Sequence, residues 1–400
     1  MRQVTWRLAT SALTAPLLDM RTQLRSLVAL FLAMSPAAPA AALYSQTNLV
    51  SDLPMTAAHQ DANLVNPWGM SYAPGSPGSP FWVSDNGTGV STLYTADGTP
   101  QSLVVTVPPS AGAPAMTTSA PTGQVFNGTS GFKINGNPAL FLFATEDGTI
   151  SGWNGGTAAV REVDNSAAGA SYKGLALDTT ATGPVLLAAD FASGKIDTIG
   201  SDFKPITLGG NFTDPNLPSG FAPFNVASFG TSIYVSYAKK GAGIDDEPGV
   251  GNGFVDVFNT AGVFQQRLVS QGVLNSPWGM AIAPANFGEF SNALLVGNFG
   301  DGLIHAYNPA TGQLLGTLES SPGNPIQIQG LWALLFGGGG TTNNGSTNTL
   351  FFTAGIPGPG AVEDHGLFGS LTAVPEPGTG AELALGTLVL ALRARRRARR

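Results

Sequence analysis

The chain has 400 residues, of which 43% are hydrophobic and only 11% charged, and its 53 glycines and 29 prolines predict a sizeable core interrupted by frequent turns. It has no cysteine, which excludes thiol catalysis, cysteine-ligated zinc and iron–sulfur chemistry. The formal net charge is −7, but residues 43–374 alone hold eight basic and 22 acidic residues, so nucleic acid is not an expected partner. This charge does not exclude cations, neutral glycans or basic surfaces.

The first 42 residues have the order of a secretory signal peptide. Arg21 and Arg25 precede the apolar run 27–34, and small residues at A-x-A spacing follow in residues 35–42. A buried helix is the alternative, but the run is short and its Ala-Pro tract would break a helix. The segment is therefore predicted to be removed by signal peptidase, with Met20 as an alternative start because the stretch before it is unusually long.

The body begins with one short strand at residues 44–54. Runs rich in β-branched and aromatic residues then recur roughly every ten residues between Gly, Asn and Asp, which predicts all-β structure. Residues 108–123, rich in Pro, Ala, Ser and Thr, are predicted to be a loop insertion. In the first unit the predicted strands are 67–73, a strand with its turn over 81–89, 90–95 and 103–107. Those of the second unit are 131–134, 139–145 and 149–153, and those of the third are 173–178, 185–190, 195–199 and 206–208.

Three further units follow, the fourth with a long insertion at residues 239–252. The predicted strands of the fourth unit are 224–229, 232–238, 253–258 and 264–269. Those of the fifth are one starting at Trp278, then 293–298, 303–307 and 313–318. Those of the sixth are 331–336, 349–354 and 365–374. Six units of roughly fifty residues with three or four strands each indicate one six-bladed β-propeller over residues 43–374. The strand at residues 48–53 has no unit of its own, so we expect it to be the outer strand of the sixth blade and to close the ring.

Two nearly identical stretches, NPWGM at 66–70 and SPWGM at 276–280, lie about two hundred residues apart. They are predicted to be innermost strands of the first and fifth blades, with Trp68 and Trp278 packing between blades. The fifth unit, PWGMAIAP followed by LLVGNFGDG and LIHAYNP, resembles an NHL repeat.

A wider resemblance covers nearly the whole body. Residues 46–53 (QTNLVSDL) together with residues 63–69 (NLVNPWG) resemble an uncharacterised bacterial family of TIGR-type β-propeller proteins, several of which carry PEP-CTERM tails. The resemblance implies a propeller fold and brings no assigned activity or site.

The C-terminus has three parts in a fixed order. The motif Pro375-Glu376-Pro377 is followed by the apolar run 381–392 and then by six arginines among residues 393–400. This order resembles the PEP-CTERM sorting signal, a motif followed by a transmembrane helix and an Arg-rich cytoplasmic tail. The positive-inside rule agrees, because an arginine cluster behind an apolar helix stays in the cytoplasm and leaves the body outside.

The sorting resemblance implies a Gram-negative bacterium in which an exosortase cleaves near the Pro-Glu-Pro motif. The body would then reach the cell envelope, the outer surface or the exterior after transient anchoring in the inner membrane by residues 375–400. The apolar run is short for a bilayer, which suits a temporary span. A plain anchor that is never cut is the alternative.

One candidate metal site lies in the fourth unit's insertion. Asp245, Asp246 and Glu247 place three carboxylates together, and clustered oxygens are what Ca²⁺ prefers. The sequence lacks the spacing of a calcium-binding loop, so a solvated loop is the favoured interpretation. No other cofactor is predicted.

Polar residues also recur where the second strands end. The candidates for a binding site are Asp85, Asn86, Glu146, Asp190, Asn298 and Asp301. In metal-dependent propeller lactonases such residues converge at the channel mouth and bind Ca²⁺ or Zn²⁺. Asp and Asn before Gly are equally what hairpin turns require, and their recurrence in nearly every unit favours turns. No catalytic residue is assigned.

The preferred hypothesis is an exported, non-catalytic propeller that binds or supports the cell envelope or extracellular matrix and engages exopolysaccharide or envelope proteins. The alternative is a metal-dependent, lactonase-like hydrolase or lyase. Buried carboxylates converging on one channel mouth would favour the enzyme, whereas carboxylates scattered among turns would favour the binding protein.

Overall fold

Six β-sheets surround a central channel in the computed structural model of the protein, which describes residues 43–340 and 342–374. Their strands are antiparallel, apart from one short parallel pair at the outer edge of blade 6. The predicted all-β six-bladed propeller is thereby confirmed. The predicted signal peptide (residues 1–42) and sorting signal (residues 375–400, with Pro375, Glu376 and Pro377) lie outside the described residues. Within the described ranges, no helix is long and apolar enough to cross a membrane.

From the channel outwards, the strands of blade 1 are Pro67–Ser71, Phe81–Asp85, Val90–Tyr94 and Val105–Thr106. Those of blade 2 are Pro121–Phe126, Phe141–Thr145, Thr149–Trp153 and Val160–Asp164. Those of blade 3 are Tyr172–Thr180, Gly183–Asp190 and Lys195–Gly200.

Blade 4 contains Phe221–Phe229, Ser232–Lys239, Gly253–Asn259 and Phe264–Ser270. Blade 5 contains Pro277–Ile282, Leu294–Asn298, Ile304–Tyr307 and Leu314–Thr317. Blade 6 contains Leu331–Phe336, Thr349–Ala354, Leu367–Val374, Leu43–Ser51 and His59–Gln60. Short elements outside the blades are the hairpins Lys133–Ile134 with Asn137–Pro138 and Glu319–Ser321 with Asn324–Pro325, and the 3-10 turns Ser166–Ala168 and Gly288–Phe290.

The N-terminal strand closes the ring as expected. Leu43–Ser51 pairs antiparallel with Leu367–Val374, the third strand of blade 6, from Leu43 opposite Val374 to Ser51 opposite Leu367. The Tyr44 hydroxyl donates a buried hydrogen bond of 2.9 Å to the Phe287 carbonyl oxygen of blade 5. The first and last described strands therefore share one sheet, and neither leaves a long unpaired edge at the closure.

Blade 2 differs from the prediction. Its innermost strand is Pro121–Phe126, which begins inside the segment predicted as a loop, whereas Lys133–Ile134 lies in a separate short hairpin. The strand was missed because Thr122-Gly123-Gln124 stands where blades 1 and 5 have Trp-Gly-Met, so the hydrophobic signal is weak.

Blade 3 differs too, because residues 206–208 form no fourth strand in the described part of the chain. Ile206 still donates its amide to the Thr198 carbonyl oxygen at 2.9 Å. Pro205, which lacks an amide hydrogen, interrupts the ladder there after a single bridge to Ile199.

All six innermost strands share one irregularity near their start. Their pairing with the second strand shifts register across the same two positions. The second of these positions is a small residue in five blades: Gly69, Gly123, Gly174, Gly279 and Ala333, with Asn225 in blade 4.

The close approach of neighbouring inner strands explains the glycines in the two Pro-Trp-Gly stretches. A Cβ atom at Gly69 would lie 2.5 Å from the Thr122 carbonyl oxygen of blade 2, and one at Gly279 would meet the Trp332 carbonyl oxygen of blade 6. Glycine therefore allows the inner strands to form a tight ring around the channel.

Candidate functional site

The innermost strands of all six blades begin at the same end of the channel, which we call the upper end. Since neighbouring strands are antiparallel, the second strand of each blade ends there as well. The loops that enter innermost strands and those that leave second strands therefore meet around the upper end. The end where the innermost strands finish is called the lower end.

The first position of each shared bulge contributes a side chain near the upper end of the channel. These six side chains, called the upper ring, are Trp68, Thr122, Lys173, Phe224, Trp278 and Trp332. The three tryptophans are at most 4% exposed. Trp68 stacks on Trp332 with ring centroids 3.5 Å apart, and Trp278 packs edge-on against both at 6.1 and 5.8 Å. The predicted core role of Trp68 and Trp278 agrees with this packing.

Lys173 is the one charged member of the upper ring. Its side chain is 3% exposed, and its ammonium group is paired with Oε1 of Glu146, whose side chain is 19% exposed. The ammonium nitrogen also lies 5.2 Å from the Trp68 ring centroid, within cation–π range. The cation is thus held between a carboxylate and an aromatic face, because a buried charge needs a partner.

A hydrogen-bond chain extends from this ion pair across four blades; we call it the upper network. Asn86 Nδ2 donates to Glu146 Oε2 at 3.1 Å, and Asn66 Nδ2 donates to Asn86 Oδ1 at 3.3 Å and to Glu363 Oε1 at 2.9 Å. The indole N–H of Trp332 donates to Asn66 Oδ1 at 3.1 Å. Lys173, Glu146, Asn86, Asn66 and Glu363 are therefore one connected unit supplied by blades 3, 2, 1 and 6.

Two carboxyl groups beside Lys173 are biased toward the protonated form. Burial raises the pKa of Glu363 to about 7; the hydrogen bond from Asn66 opposes the shift, and the nearby Glu146 carboxylate adds to it. Burial also raises the pKa of Asp246, which the insertion of blade 4 brings close enough to feel the Lys173 charge. Near neutral pH Glu363 can therefore donate or accept a proton beside the Lys173–Glu146 ion pair.

Several buried polar atoms around this site have no hydrogen-bond partner among residues 43–340 and 342–374. They are Trp68 Nε1, Ser276 Oγ and Asp246 Oδ2. The Ser276 hydroxyl lies close enough to lower the Asp246 pKa, but the contact does not have hydrogen-bond geometry. Each of these shielded atoms costs free energy that a polar partner would relieve.

Backbone conformation at the site is also unusual. Asn66, Ser276 and Glu363 have φ values of 47°, 48° and 81°, in the left-handed region that residues other than glycine seldom occupy. Asn66 and Ser276 hold equivalent places, each just before the Pro-Trp-Gly stretch of its blade. Such strain persists where the surroundings hold it, and it clusters at functional sites.

The structure brings only some of the sequence candidates together. Glu146 and Asn86 belong to the upper network. Asp85 instead accepts hydrogen bonds from the Thr92 amide and hydroxyl of its own blade, at 3.1 and 2.8 Å. Asp190 accepts from the Ser171 amide at 2.9 Å, which fixes the entry into blade 3.

The candidates of blade 5 also hold a turn. Asp301 accepts the Leu303 amide at 3.0 Å, and Asn298 donates to the Val273 carbonyl oxygen at 2.8 Å and to Asp301 at 3.3 Å. Sequence reasoning missed Lys173, Asn66 and Glu363. Aligning the innermost strands on the second bulge position, which is small in five of the six, places Lys173 in the upper ring, but nothing in the sequence marks Glu363.

The three candidate metal ligands of the insertion do not act together. Asp245 is exposed, Glu247 pairs with Lys239 at 2.7 Å on the surface, and only Asp246 faces the upper network. Across the described ranges, no three His, Cys, Asp or Glu side chains are grouped so that they could hold a metal ion.

The lower end of the channel has a different character. A cavity of about 320 Å³ opens there, with walls that include Met70, Met280, Leu177, Phe126 and Phe229. A lumen of about 90 Å³, lined by Gly69, Trp278 and other inner-strand residues, lies between this cavity and the upper ring.

No model of a known protein family matches the chain. Two uncharacterized proteins of Acanthamoeba polyphaga mimivirus are similar to it over most of their length. R648 is 32% identical over 323 residues, which are 77% of this chain and 76% of that protein. L690 is 32% identical over 312 residues, which are 74% of this chain and 79% of that protein.

Among solved structures, a mutant of the α-L-arabinofuranosidase of Fusarium graminearum in complex with an iminosugar inhibitor is similar in fold. It has a TM-score of 0.51 and 12% sequence identity, and the match covers 82% of this chain and 97% of that chain. At this identity the likeness shows the propeller fold alone.

Proposed function

The chain belongs to the family that includes the mimivirus proteins R648 and L690, and for this member we propose a role in binding a hydroxyl-rich ligand at the upper end of the channel. A sugar unit of an extracellular polysaccharide has the chemistry that suits the site. The observation that carries the proposal is the upper network, with amide, carboxyl and ammonium groups in one connected unit.

The chemistry of the network supports a polar, uncharged ligand. Each sugar hydroxyl both donates and accepts, and the network offers donors at Lys173 and Asn86 and acceptors at Glu146 and Glu363. The unpartnered Trp68 indole N–H and Ser276 hydroxyl add a donor and a mixed group nearby. The Lys173–Glu146 pair is balanced, and burial biases Glu363 and Asp246 toward the neutral form, so the site has little net positive charge to attract a polyanion and a neutral glycan fits better than a phosphate-rich one.

The proposal includes export, which rests on the sequence. The signal-peptide order of residues 1–42 and the resemblance of residues 375–400 to a PEP-CTERM signal support delivery to the envelope or exterior after exosortase processing. Mass spectrometry of the protein released by its host tests this part. A mature form ending near Pro377 is expected, whereas an exported form that keeps the arginine tail would refute the processing step.

The binding test uses the full-length protein on an array of neutral oligosaccharides, followed by calorimetric titration of the glycans retained. We expect at least one glycan to bind saturably. Replacing Asn86 by Leu removes two hydrogen bonds of the network at similar side-chain size, and should weaken binding by about tenfold or more.

The matched control is Asp190→Asn, which changes a turn carboxylate at the same end of the channel outside the network. It should leave affinity within about twofold, because the amide oxygen can still accept the Ser171 and Ser193 amide hydrogens that Oδ1 accepts now. Equal losses in the two variants, or no retained glycan, would contradict the proposed site.

A hydrolase or lyase is the second candidate, and one observation favours it. A pKa of about 7 for Glu363 matches what a general acid or base needs at neutral pH. If the bound glycan is cleaved, Glu363→Gln should retain binding and lose turnover. Loss of turnover with EDTA would point to the metal-dependent form, for which the described residues show no ligand group of three.

A further inference from the structure

The lower end of the channel is a second pocket that the proposed glycan site does not use. Its cavity of about 320 Å³ lies at the mouth, and half-buried Tyr72, Phe126, Leu177 and Phe229 line it together with buried Met70 and Met280. Pockets that bind small molecules have this volume range and this predominance of apolar and aromatic side chains. The lower cavity thus meets both criteria.

The pocket has a closed inner end. Beyond the mouth lies a smaller lumen with a volume of about 90 Å³. It lies at the layer of Gly69 and Gly279, where the backbones of neighbouring inner strands are in close contact. Behind that layer, stacked Trp68 and Trp332 and edge-on Trp278 fill the channel. A ligand therefore enters from the lower end and does not pass through.

One polar atom in the wall lacks a partner. Ser71 is 8% exposed, lines the cavity, and its hydroxyl makes no hydrogen bond within residues 43–340 and 342–374. The other polar side chains of the wall are engaged: Ser228 donates to Asp178 at 3.0 Å, and Gln124 bonds to the Trp82 carbonyl oxygen and Ser91. The hydroxyl oxygen is shielded from solvent, so it meets a hydrogen-bonding group of a ligand only when the Ser71 side chain rotates to another staggered χ1 position, and it then gains the partner it lacks.

We propose that the lower mouth binds an uncharged, mostly apolar small molecule that carries a single hydroxyl or carbonyl group, which pairs with Ser71. The size follows from the volume. A cavity of about 150 Å³ accommodates benzene, so a cavity roughly twice as large accommodates a bicyclic aromatic or a branched hydrocarbon of similar size. A charged ligand is disfavoured, because no charged side chain lines the mouth.

The test titrates the full-length protein with 2-naphthol, a bicyclic aromatic with one hydroxyl, and with 2-methylnaphthalene, which has the same shape without it. Calorimetry should show one saturable site for 2-naphthol. Ser71→Ala should weaken 2-naphthol binding about fivefold, the loss of one neutral hydrogen bond of roughly 1 kcal/mol, and leave 2-methylnaphthalene unchanged.

Ala227→Trp tests the location. Ala227 is a half-buried residue of the mouth, so the indole would occupy the cavity and should abolish binding of both compounds. The control is Val263→Trp, which adds the same side chain at an exposed turn of the lower end outside the channel and should have no effect. Circular dichroism verifies that both variants are folded.

Three results would overturn the proposal. They are failure of 2-naphthol to bind, unchanged binding in folded Ala227→Trp, and equal loss in Ala227→Trp and Val263→Trp. Equal effects of Ser71→Ala on the two compounds would also refute the assigned role of that hydroxyl. Since the glycan test changes only upper-end residues, the two proposals fail independently.

Discussion

The upper and lower ends of the channel are built from the same six strands, yet their chemistry is opposite. The loops between second and third strands, at the upper end, contain eight Asp or Glu residues. The loops between first and second strands, at the lower end, contain only Lys133 and Glu289 as charged residues. Antiparallel pairing places alternate loops of each blade at opposite ends of the channel. The acidic loops therefore lie at the upper end, and the loops with few charged residues lie at the lower end.

The middle of the channel keeps the two ends apart. The upper ring places bulky side chains at the first bulge position, and the small residues that follow let neighbouring backbones touch. A polar ligand at the upper network and an apolar ligand at the lower mouth would thus sit on either side of a packed layer. The following variants test how independent the two ends are.

The largest effect is expected at the upper end. Lys173→Met leaves the Glu146 carboxylate without its cation in a mostly buried place, which should lower the free energy of unfolding by about 3 to 5 kcal/mol. Urea denaturation measures the change. The double variant Lys173→Met/Glu146→Gln should recover most of the loss, and failure to recover would mean that packing rather than charge dominates.

A slightly smaller effect is expected in the layer between the ends. Gly69→Ala pushes a methyl group against the Thr122 carbonyl oxygen, and backbone cannot move aside easily, so a loss of about 2 to 3 kcal/mol is expected. Gly112→Ala is the control, since no atom lies within 4 Å of an added Cβ there. If both variants unfold at the same urea concentration, the close approach does not constrain the ring.

The third prediction concerns pH at the upper end. Burial holds the pKa of Glu363 at about 7 in the folded protein against an ordinary value of 4.5. The folded state therefore binds the proton more tightly than the unfolded state, and this carboxyl reduces stability as pH rises from about 4.5 to about 7, with no further change above.

Glu363→Gln removes that dependence. Between pH 4 and pH 8 the free energy of unfolding of the variant should therefore rise by about 3 kcal/mol relative to that of the wild type. Buried Asp256, whose pKa burial also raises, is not influenced by Glu363 and contributes the same slope to both proteins. Asp246 is coupled to Glu363, because its charge adds to the Glu363 shift, so its contribution belongs to the measured difference. A constant difference across pH would show that Glu363 titrates normally.

The smallest effect is expected on the exposed part of the upper insertion. Glu247→Gln breaks a surface ion pair with Lys239, and surface pairs contribute about 0 to 1 kcal/mol at most. Thermal unfolding with and without CaCl₂ measures both stability and metal response. If CaCl₂ stabilises the wild type and the substitution abolishes that stabilisation, the loop binds calcium, contrary to the expectation.

The sequence predicted the architecture from residues that report on it locally. Alternating apolar runs, Asp-Gly and Asn-Gly turns and an N-terminal strand without a unit led to six blades and to the closure by Leu43–Ser51. Blade 2 was misplaced because its inner strand carries Thr122 and Gln124 instead of large apolar side chains. Local hydrophobicity cannot identify a strand whose burial comes entirely from its neighbours.

The candidate site was only half predicted. Asn86 and Glu146 were noticed because they follow strands, together with turn residues such as Asp190 that play no part in the network. The Asn66–Glu363 hydrogen bond joins residues 297 positions apart, and no local pattern reports on such a pair. The residue types predicted where the turns lie. Which turn residues come into contact depends on how the blades close into a ring.

By itself the sequence determined the repeat, the strand periodicity and the two Pro-Trp-Gly stretches, because these depend on neighbouring residues along the chain. Only the tertiary structure decided that Lys173 joins three tryptophans in the upper ring and that carboxyl groups from separate blades surround it. It also decided that an apolar cavity opens at the other end. The physical reason is that burial, pKa shifts and cavities arise from side chains distant in sequence, which come together when the propeller closes.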